Sequence, residues 1–206
     1  MIMTDTKFKC FIVDIETTVN PDLVELYNEN IKAPKNIKDP DKIKANLEEQ
    51  KKGSVKGMQI DIDYAKVCVI GVKEVGGEIR HLTLKEFDDF IGQVEKENSK
   101  IITYNGKNFD FPVLIRSLIR EGLISHIRFL KGLCKRYEVY NHIDLIEELN
   151  VYGKYKSLDE LCRIYLGAGK EEFDHENSTV AEKTKHNEEC LAVTEKLYLL
   201  FKPLLN

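Results

Sequence analysis

The stretch KFKCFIVDIE, residues 7–16, decides the fold prediction. It is short and apolar, with β-branched residues near its end, and this pattern is typical of a buried strand, predicted here over residues 7–15. Asp14 and Glu16 stand two positions apart at the C-terminal end of that strand. Because successive side chains alternate between the faces of a sheet, both carboxylates are expected on one face. Neighbouring acids repel, so the pair predicts a cation between them, although a polar strand end that meets a loop gives the same pattern.

Regular patterning resumes after residue 65 and indicates alternating strands and helices. The predicted strands cover residues 66–72, 78–84, 101–104 and 139–144, and the predicted helices cover 85–97, 111–121, Ser157–Leu166 and Thr179 to about Phe201. Three strands followed by alternating helices and strands predict an α/β domain with a mixed sheet.

Residues 17–62 have a different composition, with many prolines, glycines and lysines. Two short amphipathic helices are predicted there, one over residues 22–30 and one that begins near residue 39. Because the apolar content is too thin for a separate core, we interpret the segment as an insertion in a single domain of residues 1–206. Eight lysines against four acids give residues 31–56 a local charge of +4, which indicates either contact with a polyanion or a solvated lysine face.

The composition argues against several classes of protein. No stretch approaches 18 uninterrupted apolar residues, so a membrane span is not expected. The polar N-terminus has no apolar region of the kind that a secretory signal needs. A formal net charge of −4 does not favour a protein that coats duplex nucleic acid by bulk charge. The five cysteines form no CxxC pair, which favours a reducing cytoplasm and no structural zinc.

A second polar segment, NGKNFDFP at residues 105–112, follows one predicted strand and precedes a helix. Its Asn-Gly pair favours a turn. Asp110 falls near the N-cap of the helix, and Pro112 falls in the first turn. Taken alone, the segment is also explained by an Asp110 that caps the helix and a Phe109 that packs.

Together the two polar segments resemble the motifs of a known superfamily. FIVDIETT, which contains Asp14 and Glu16, resembles the first motif of the DEDD, or DnaQ-like, 3′–5′ exonucleases. Asn105-x-x-x-Phe109-Asp110 resembles the second motif, in the form found in the proofreading domains of family B polymerases. HIDL at 142–145 and SLDEL at 157–161 resemble linking segments of the predicted PolB-like exonucleases of bacteria and phages. The resemblance covers residues 8–16 and about 65–203.

The resemblance implies an RNase H-like fold, with a mixed five-stranded sheet flanked by helices and a helical, lysine-rich insertion after the first strand. It implies two divalent ions, Mg²⁺ or Mn²⁺, held by four carboxylates, three of which would be Asp14, Glu16 and Asp110. One ion would activate water, and the other would stabilise the leaving 3′ oxygen. Asn105 and Phe109 would hold the 3′-terminal nucleotide of single-stranded DNA or RNA.

The last helix departs from the third motif of the family, which is Tyr-x-x-x-Asp or His-x-x-x-x-Asp. Alignment of the downstream residues puts Cys190 at the aspartate and His186 at the tyrosine. An apolar stripe centred on Cys190 predicts that this residue faces inward, whereas Glu189 is turned by about 100° toward the rim. A thiol is a poor ligand for Mg²⁺, so either Cys190 or Glu189 is left as the uncertain fourth ligand. His186 is a candidate general base, or a histidine that is simply packed.

These observations leave two principal hypotheses. The first is a metal-dependent 3′–5′ exonuclease that acts on single-stranded nucleic acid in the cytoplasm of a bacterium or a phage-infected cell. The second is a catalytically degenerate RNase H-like domain that binds nucleic acid or a protein partner. An unrelated α/β enzyme is the weakest alternative, because GxGxxG, GxxxxGK[ST], GxSxG and HExxH are all absent.

Overall fold

The computed structural model of the protein describes residues 8–137, 139–149 and 154–205. The described residues form a five-stranded sheet with the order β3-β2-β1-β4-β5. The strands are β1 (Cys10–Thr18), β2 (Lys66–Glu74), β3 (Ile79–His81), β4 (Lys100–Thr103) and β5 (His142–Asp144). The first three strands pair antiparallel, and β4 and β5 continue the sheet in parallel with β1. The predicted mixed sheet is therefore confirmed. Residues 1–7, where the sequence predicts no secretory signal, lie outside the described residues.

The helices cover both faces of this sheet or belong to the insertion. They are α1 (Val24–Asn30), α2 (Pro40–Lys52), α3 (Ser54–Ile60), α4 (Leu84–Glu97), α5 (Asp110–Arg120), α6 (Ile127–Leu133), α7 (Leu145–Leu149), α8 (Leu158–Leu166) and α9 (Val180–Phe201). Short 3-10 turns at Pro21–Leu23 and Lys202–Leu204 flank α1 and α9. No helix in the described ranges combines the length and the apolar character that crossing a bilayer requires.

The central strand β1 separates two apolar layers. Phe11, Val13 and Ile15 point into a core built with α4, α5 and α6. Ile12 points into the opposite core, built with α8 and α9. The alternation of β1 therefore directs its even-numbered residues toward α9, and Asp14 and Glu16 continue that series.

The long helix α9 begins and packs as its sequence dictates. Thr179 and Glu182 form the predicted capping box at its N-terminus. Its approach to the sheet depends on Gly71 of β2, since a Cβ there would lie 1.9 Å from Asn187 Oδ1 and 2.6 Å from Leu191 Cδ1. The predicted capping box of α8 is only half formed, because Ser157 accepts the Glu160 N–H while the Glu160 carboxylate pairs with Lys156.

The helical insertion after β1 is confirmed, with two differences from the prediction. The strand extends to Thr18, so the insertion starts later than residue 17. It also holds α3, which the sequence analysis missed. Outside the insertion, the sequence analysis missed α6 and α7. The Thr17 hydroxyl donates to the backbone oxygen of Gln59 at 2.7 Å, and Met58 is buried. These contacts attach α3 to the end of β1 beside the polar residues of that strand.

Candidate active site

A cleft of about 620 Å³ opens beside the C-terminal part of β1. Its walls come from β1, the loop after β4, the start of α5, α7, the start of α8, the inner face of α9, α3 of the insertion, and the segment of residues 170–176. Seven of the eight candidate site residues line it, namely Asp14, Glu16, Asn105, Phe109, Asp110, His186 and Cys190. The structure thus brings together segments that are up to 176 positions apart in the sequence.

The two acids of β1 lie inside the strand and not at its end as predicted. The ladder between β1 and β2 continues through both, pairing Asp14 with Gly71 and Glu16 with Val69, and an irregularity follows between Glu16 and Thr17. Glu16 is buried, and Asp14 is partly exposed to the cleft. Asp14 Oδ2 accepts a hydrogen bond from Asn187 Nδ2 at 2.7 Å. Both carboxylates therefore face α9 across the cleft.

Asp110 reaches the same place from the other core layer. It is the first residue of α5, and the N-cap position belongs to Phe109, whose side chain makes no capping bond. Asp110 Oδ1 instead accepts the backbone N–H of Ile15 at 3.1 Å. The alternative that Asp110 serves only to cap its helix is therefore wrong. Its carboxylate is tied to β1 between the two acids of that strand.

The crowding of acids raises their proton affinities. Burial, followed by the charges of Asp110 and Glu16, raises the pKa of Asp14 well above its ordinary value. Burial, followed by the charge of Asp144, raises the pKa of Asp110 to about 7. A cation placed among these groups would reverse the direction of both shifts, since opposite charge favours the ionised form. The environment is therefore suited to binding a cation.

Asp144 contributes to the site indirectly. It is fully buried at the end of β5 and accepts the backbone N–H groups of Asn105 at 2.6 Å, Lys107 at 2.9 Å and Ile146 at 3.3 Å. These bonds fix the loop after β4, in which Asn105 has a φ of 68°. Asn105 and the half-buried Phe109 are thereby held at the wall of the cleft next to Asp110.

The inner face of α9 presents His186, Asn187 and Cys190 to the cleft region, and all three are buried. Glu189 is turned outward, with a side-chain exposure of 31%, and its Oε1 accepts the backbone N–H of Glu171 at 3.2 Å. Asn187 was missed by the sequence analysis. Its position three residues before Cys190, on the same face of the helix, was the available signal.

Lys170 is the second residue that sequence reasoning missed. Its Nζ donates to Cys190 Sγ at 2.8 Å and lies 3.4 Å from His186 Nε2. Lys170 belongs to an irregular segment between α8 and α9, where spacing carries no information about which side chain reaches the cleft. It follows no motif of the sequence.

Two aromatic residues of the same segment enclose His186. The Phe173 ring stacks on the His186 ring at 4.0 Å with an interplanar angle of 5°, and the His175 ring meets it edge-on at 5.2 Å. Burial, followed by the positive charges of Lys170 and His175, lowers the pKa of His186 to about 4. Burial, followed by the charge of Asp14, raises the pKa of the Cys190 thiol far above its ordinary value. At neutral pH the imidazole is therefore uncharged and the thiol is protonated.

The two sides of the cleft suit different ligands. Asp14, Glu16 and Asp110 supply the hard oxygen atoms that Mg²⁺ and Mn²⁺ prefer. On the α9 side, ligand atoms of Glu16, His186 and Cys190 lie within 4.8 Å of one another, but the Lys170 ammonium contacts the latter two. The residue types on the carboxylate side therefore suit a divalent ion, and a thiol in contact with an ammonium lies on the α9 side.

Comparisons with known proteins agree with the fold. The fold is similar to the structure of the family B DNA polymerase from the hyperthermophilic archaeon Pyrobaculum calidifontis, with a TM-score of 0.54 and 18% sequence identity. The match covers 95% of this chain and 25% of that polymerase, so the chain spans about a quarter of its length. No curated protein matches the chain. A family model described as "Predicted 3′-5′ exonuclease related to the exonuclease domain of PolB" matches residues 61–190. Because that match spans more than half of the sequence, the chain belongs to the family of predicted 3′–5′ exonucleases related to the exonuclease domain of PolB.

Proposed function

We propose that the protein is a divalent-metal-dependent 3′–5′ exonuclease that hydrolyses single-stranded nucleic acid. The observation that carries this proposal is the convergence of Asp14, Glu16 and Asp110 in one cleft. Asn105 and Phe109 line the cleft beside them, in positions suited to a terminal nucleotide. Family membership supports the reaction class.

The three carboxylates would hold Mg²⁺ or Mn²⁺. Such an ion supplies Lewis acidity and stabilises charge during phosphodiester hydrolysis. Asp14 and Asp110 are held for this task by protein donors, the Asn187 side chain and the Ile15 N–H respectively. This support fixes where the carboxylate oxygens lie before any ligand arrives.

The remaining side chains would bind substrate and accept protons. Phe109 offers an apolar surface to a sugar or base, and Asn105 offers a polar side chain beside it. His186 is uncharged at neutral pH and could accept a proton from water, as expected of a general base. Its Nε2 faces Lys170, so we propose that proton transfer through this atom requires the lysine to shift.

A second candidate function is a nuclease-like domain that binds nucleic acid or a protein partner with little catalysis. The observation that favours it is the contact between Lys170 and Cys190 at the position of the missing carboxylate. The cytoplasmic setting in a bacterium or a phage-infected cell stays a prediction in either case.

One assay separates the two candidates. Purified protein is incubated with single-stranded oligonucleotides labelled at the 5′ or the 3′ end, in the presence of Mg²⁺ or Mn²⁺. A ladder of 5′-labelled products that shorten from the 3′ end, lost with EDTA, supports the exonuclease. An intact oligonucleotide that still shifts on a native gel supports the binding domain and contradicts the exonuclease.

A further inference from the structure

The Lys170 ammonium occupies a cation position within the cleft. Its Nζ contacts both residues that stand at the third-motif positions, Cys190 at 2.8 Å and His186 at 3.4 Å. The same cleft is lined by Asp14 and Glu16, so the ammonium shares the space with the carboxylates. A positive side chain therefore lies in the cleft beside Cys190 and His186, next to the three carboxylates.

Lys170 is anchored in this place by its neighbours. Its backbone N–H donates to Asp159 Oδ1 of α8 at 2.7 Å. The next N–H, of Glu171, donates to Glu189 of α9, and Phe173 stacks on His186. The segment is therefore attached to α8 at the lysine and to α9 just after it, which fixes where the base of the side chain starts.

Cys190 and Lys170 together carry the same net charge as a carboxylate with a bound divalent ion. A carboxylate together with a divalent ion carries a net charge of about one positive unit, and so does a neutral thiol together with an ammonium. Burial opposes the charged form of Lys170, and the carboxylates of Asp14 and Glu189 favour it.

We infer that Lys170 and Cys190 together replace one carboxylate and one metal ion, so that the cleft takes a single divalent cation and the Lys170 ammonium binds a substrate phosphate in place of the second. The part that concerns phosphate rests on the proposed function, whereas the number of ions does not. The single ion lies with Asp14, Glu16 and Asp110. This differs from the expectation of two ions that the resemblance implies.

The number of bound ions is measured with Mn²⁺ alone, by calorimetry and by the electron paramagnetic resonance signal of free Mn²⁺. The wild-type protein is expected to bind one Mn²⁺ in the cleft, and the Asp14→Asn variant to lose it. The double variant Cys190→Asp/Lys170→Ala restores the carboxylate, removes the ammonium and is expected to bind two. Lys196→Met serves as the control and should bind one Mn²⁺, because Lys196 is an exposed lysine of α9, the helix that carries Cys190.

Two results would overturn the inference. One is a wild-type protein that binds two Mn²⁺ in the cleft, or none. The other is a double variant that melts as cooperatively as the wild type and still binds only one. If the double variant does not fold, the wild-type stoichiometry alone decides.

The phosphate role is tested through activity. Lys170→Met should lower the rate of oligonucleotide hydrolysis by about 100-fold, as loss of one charge-stabilising donor does elsewhere, and Lys170→Arg should recover part of it. The rate should rise with the first power of Mg²⁺ concentration in the wild type and with the second power in the double variant. Activity that is unchanged in Lys170→Met contradicts the phosphate role. A protein that cleaves no substrate in any form contradicts the proposed function, while the Mn²⁺ count still decides the number of ions.

Discussion

The two sides of the cleft are built in different ways. On the β1 side, Asp14, Glu16 and Asp110 are presented by a strand and by the first turn of a helix, and one backbone N–H bond, from Ile15, links them. On the α9 side, Cys190 and His186 meet Lys170 from a segment without regular structure. The first side offers three carboxylates, and the second offers a thiol, an imidazole and an ammonium. The position of the only ammonium among these residues is therefore set by a segment without regular structure, whereas strands and helices position the other side chains.

The largest effect is expected from Asp14→Asn, which tests the carboxylate side. The amide removes one charged ligand but can still accept the Asn187 bond, so the fold should persist. Activity should fall by about 1,000-fold or more, because a metal centre supplies several kcal/mol of transition-state stabilisation. Single-turnover hydrolysis measures the rate, with Asp89→Asn on an exposed face of α4 as the matched control. Full activity in Asp14→Asn would remove the carboxylate side from the mechanism.

The stability of the metal-free protein should depend on Asp110. Its folded pKa is raised to about 7, so the folded state holds a proton that the unfolded chain releases near pH 4. Stability is therefore fully present below that pH and decreases as the pH rises through about 7. Asp110→Asn should flatten this decrease, by at most a few kcal/mol at pH 8, as measured by urea unfolding in EDTA. An equal pH dependence in the two proteins would show that Asp110 does not carry the effect.

Gly71→Ala tests the close approach of α9 to the sheet. The added Cβ would lie 1.9 Å from Asn187 Oδ1, so either the amide moves away from Asp14 or the helix shifts. We expect a loss of about 1–3 kcal/mol of stability and weaker Mn²⁺ binding. Gly132→Ala on α6 is the control, since nothing lies within 4 Å of its added Cβ. Equal stability of Gly71→Ala and the wild type would show that α9 can shift away from the sheet without a loss of free energy of unfolding.

The lysines of the insertion test whether bound nucleic acid extends from the cleft onto the insertion. Lys35, Lys38, Lys42 and Lys44 are all exposed, and α3 of the same insertion lines the cleft with Lys56. Changing the four to glutamine should weaken oligonucleotide binding by about tenfold and lower its salt dependence, because each phosphate contact adds to the salt slope. Binding is measured at two salt concentrations, with glutamine at Lys85 and Lys96 of α4 as the control. Unchanged affinity and slope would identify a solvated lysine face.

The smallest effect is expected from Glu189→Ala. Its carboxylate accepts the Glu171 N–H at the rim of the cleft. Mn²⁺ affinity should therefore change by less than about twofold, because an exposed charge contributes little free energy to a neighbouring site. Glu188→Ala, at an exposed neighbouring position, is the control. A large loss of Mn²⁺ binding on Glu189→Ala alone would show that this carboxylate swings into the cleft and would reverse the comparison of the two sides.

The sequence predicted what depends on local periodicity. The alternation of β1 predicted that Asp14 and Glu16 share a face, and the turn before α5 predicted where Asp110 stands. Lys170 could not be found in this way, because it reaches Cys190 across 20 residues through a segment that has no repeating geometry. The same holds for Gly71, whose importance comes from a helix that arrives 116 positions later. Periodicity identifies which face a residue occupies, and only tertiary contact identifies what lies opposite.

The conformation of the loop after β4 depends on the edge strand β5, because the buried Asp144 carboxylate at the end of that strand accepts the N–H groups of the loop. That loop takes its conformation from a residue 39 positions downstream, at the end of a three-residue strand. Separation of β5 from the sheet would release the N–H groups of Asn105 and Lys107 together. In hydrogen exchange, the loop and β5 would therefore open as one cooperative unit, with an opening free energy that the rest of the sheet need not share. The wall of the cleft would then be lost by partial unfolding at the edge, while β1 kept Asp14 and Glu16 in place.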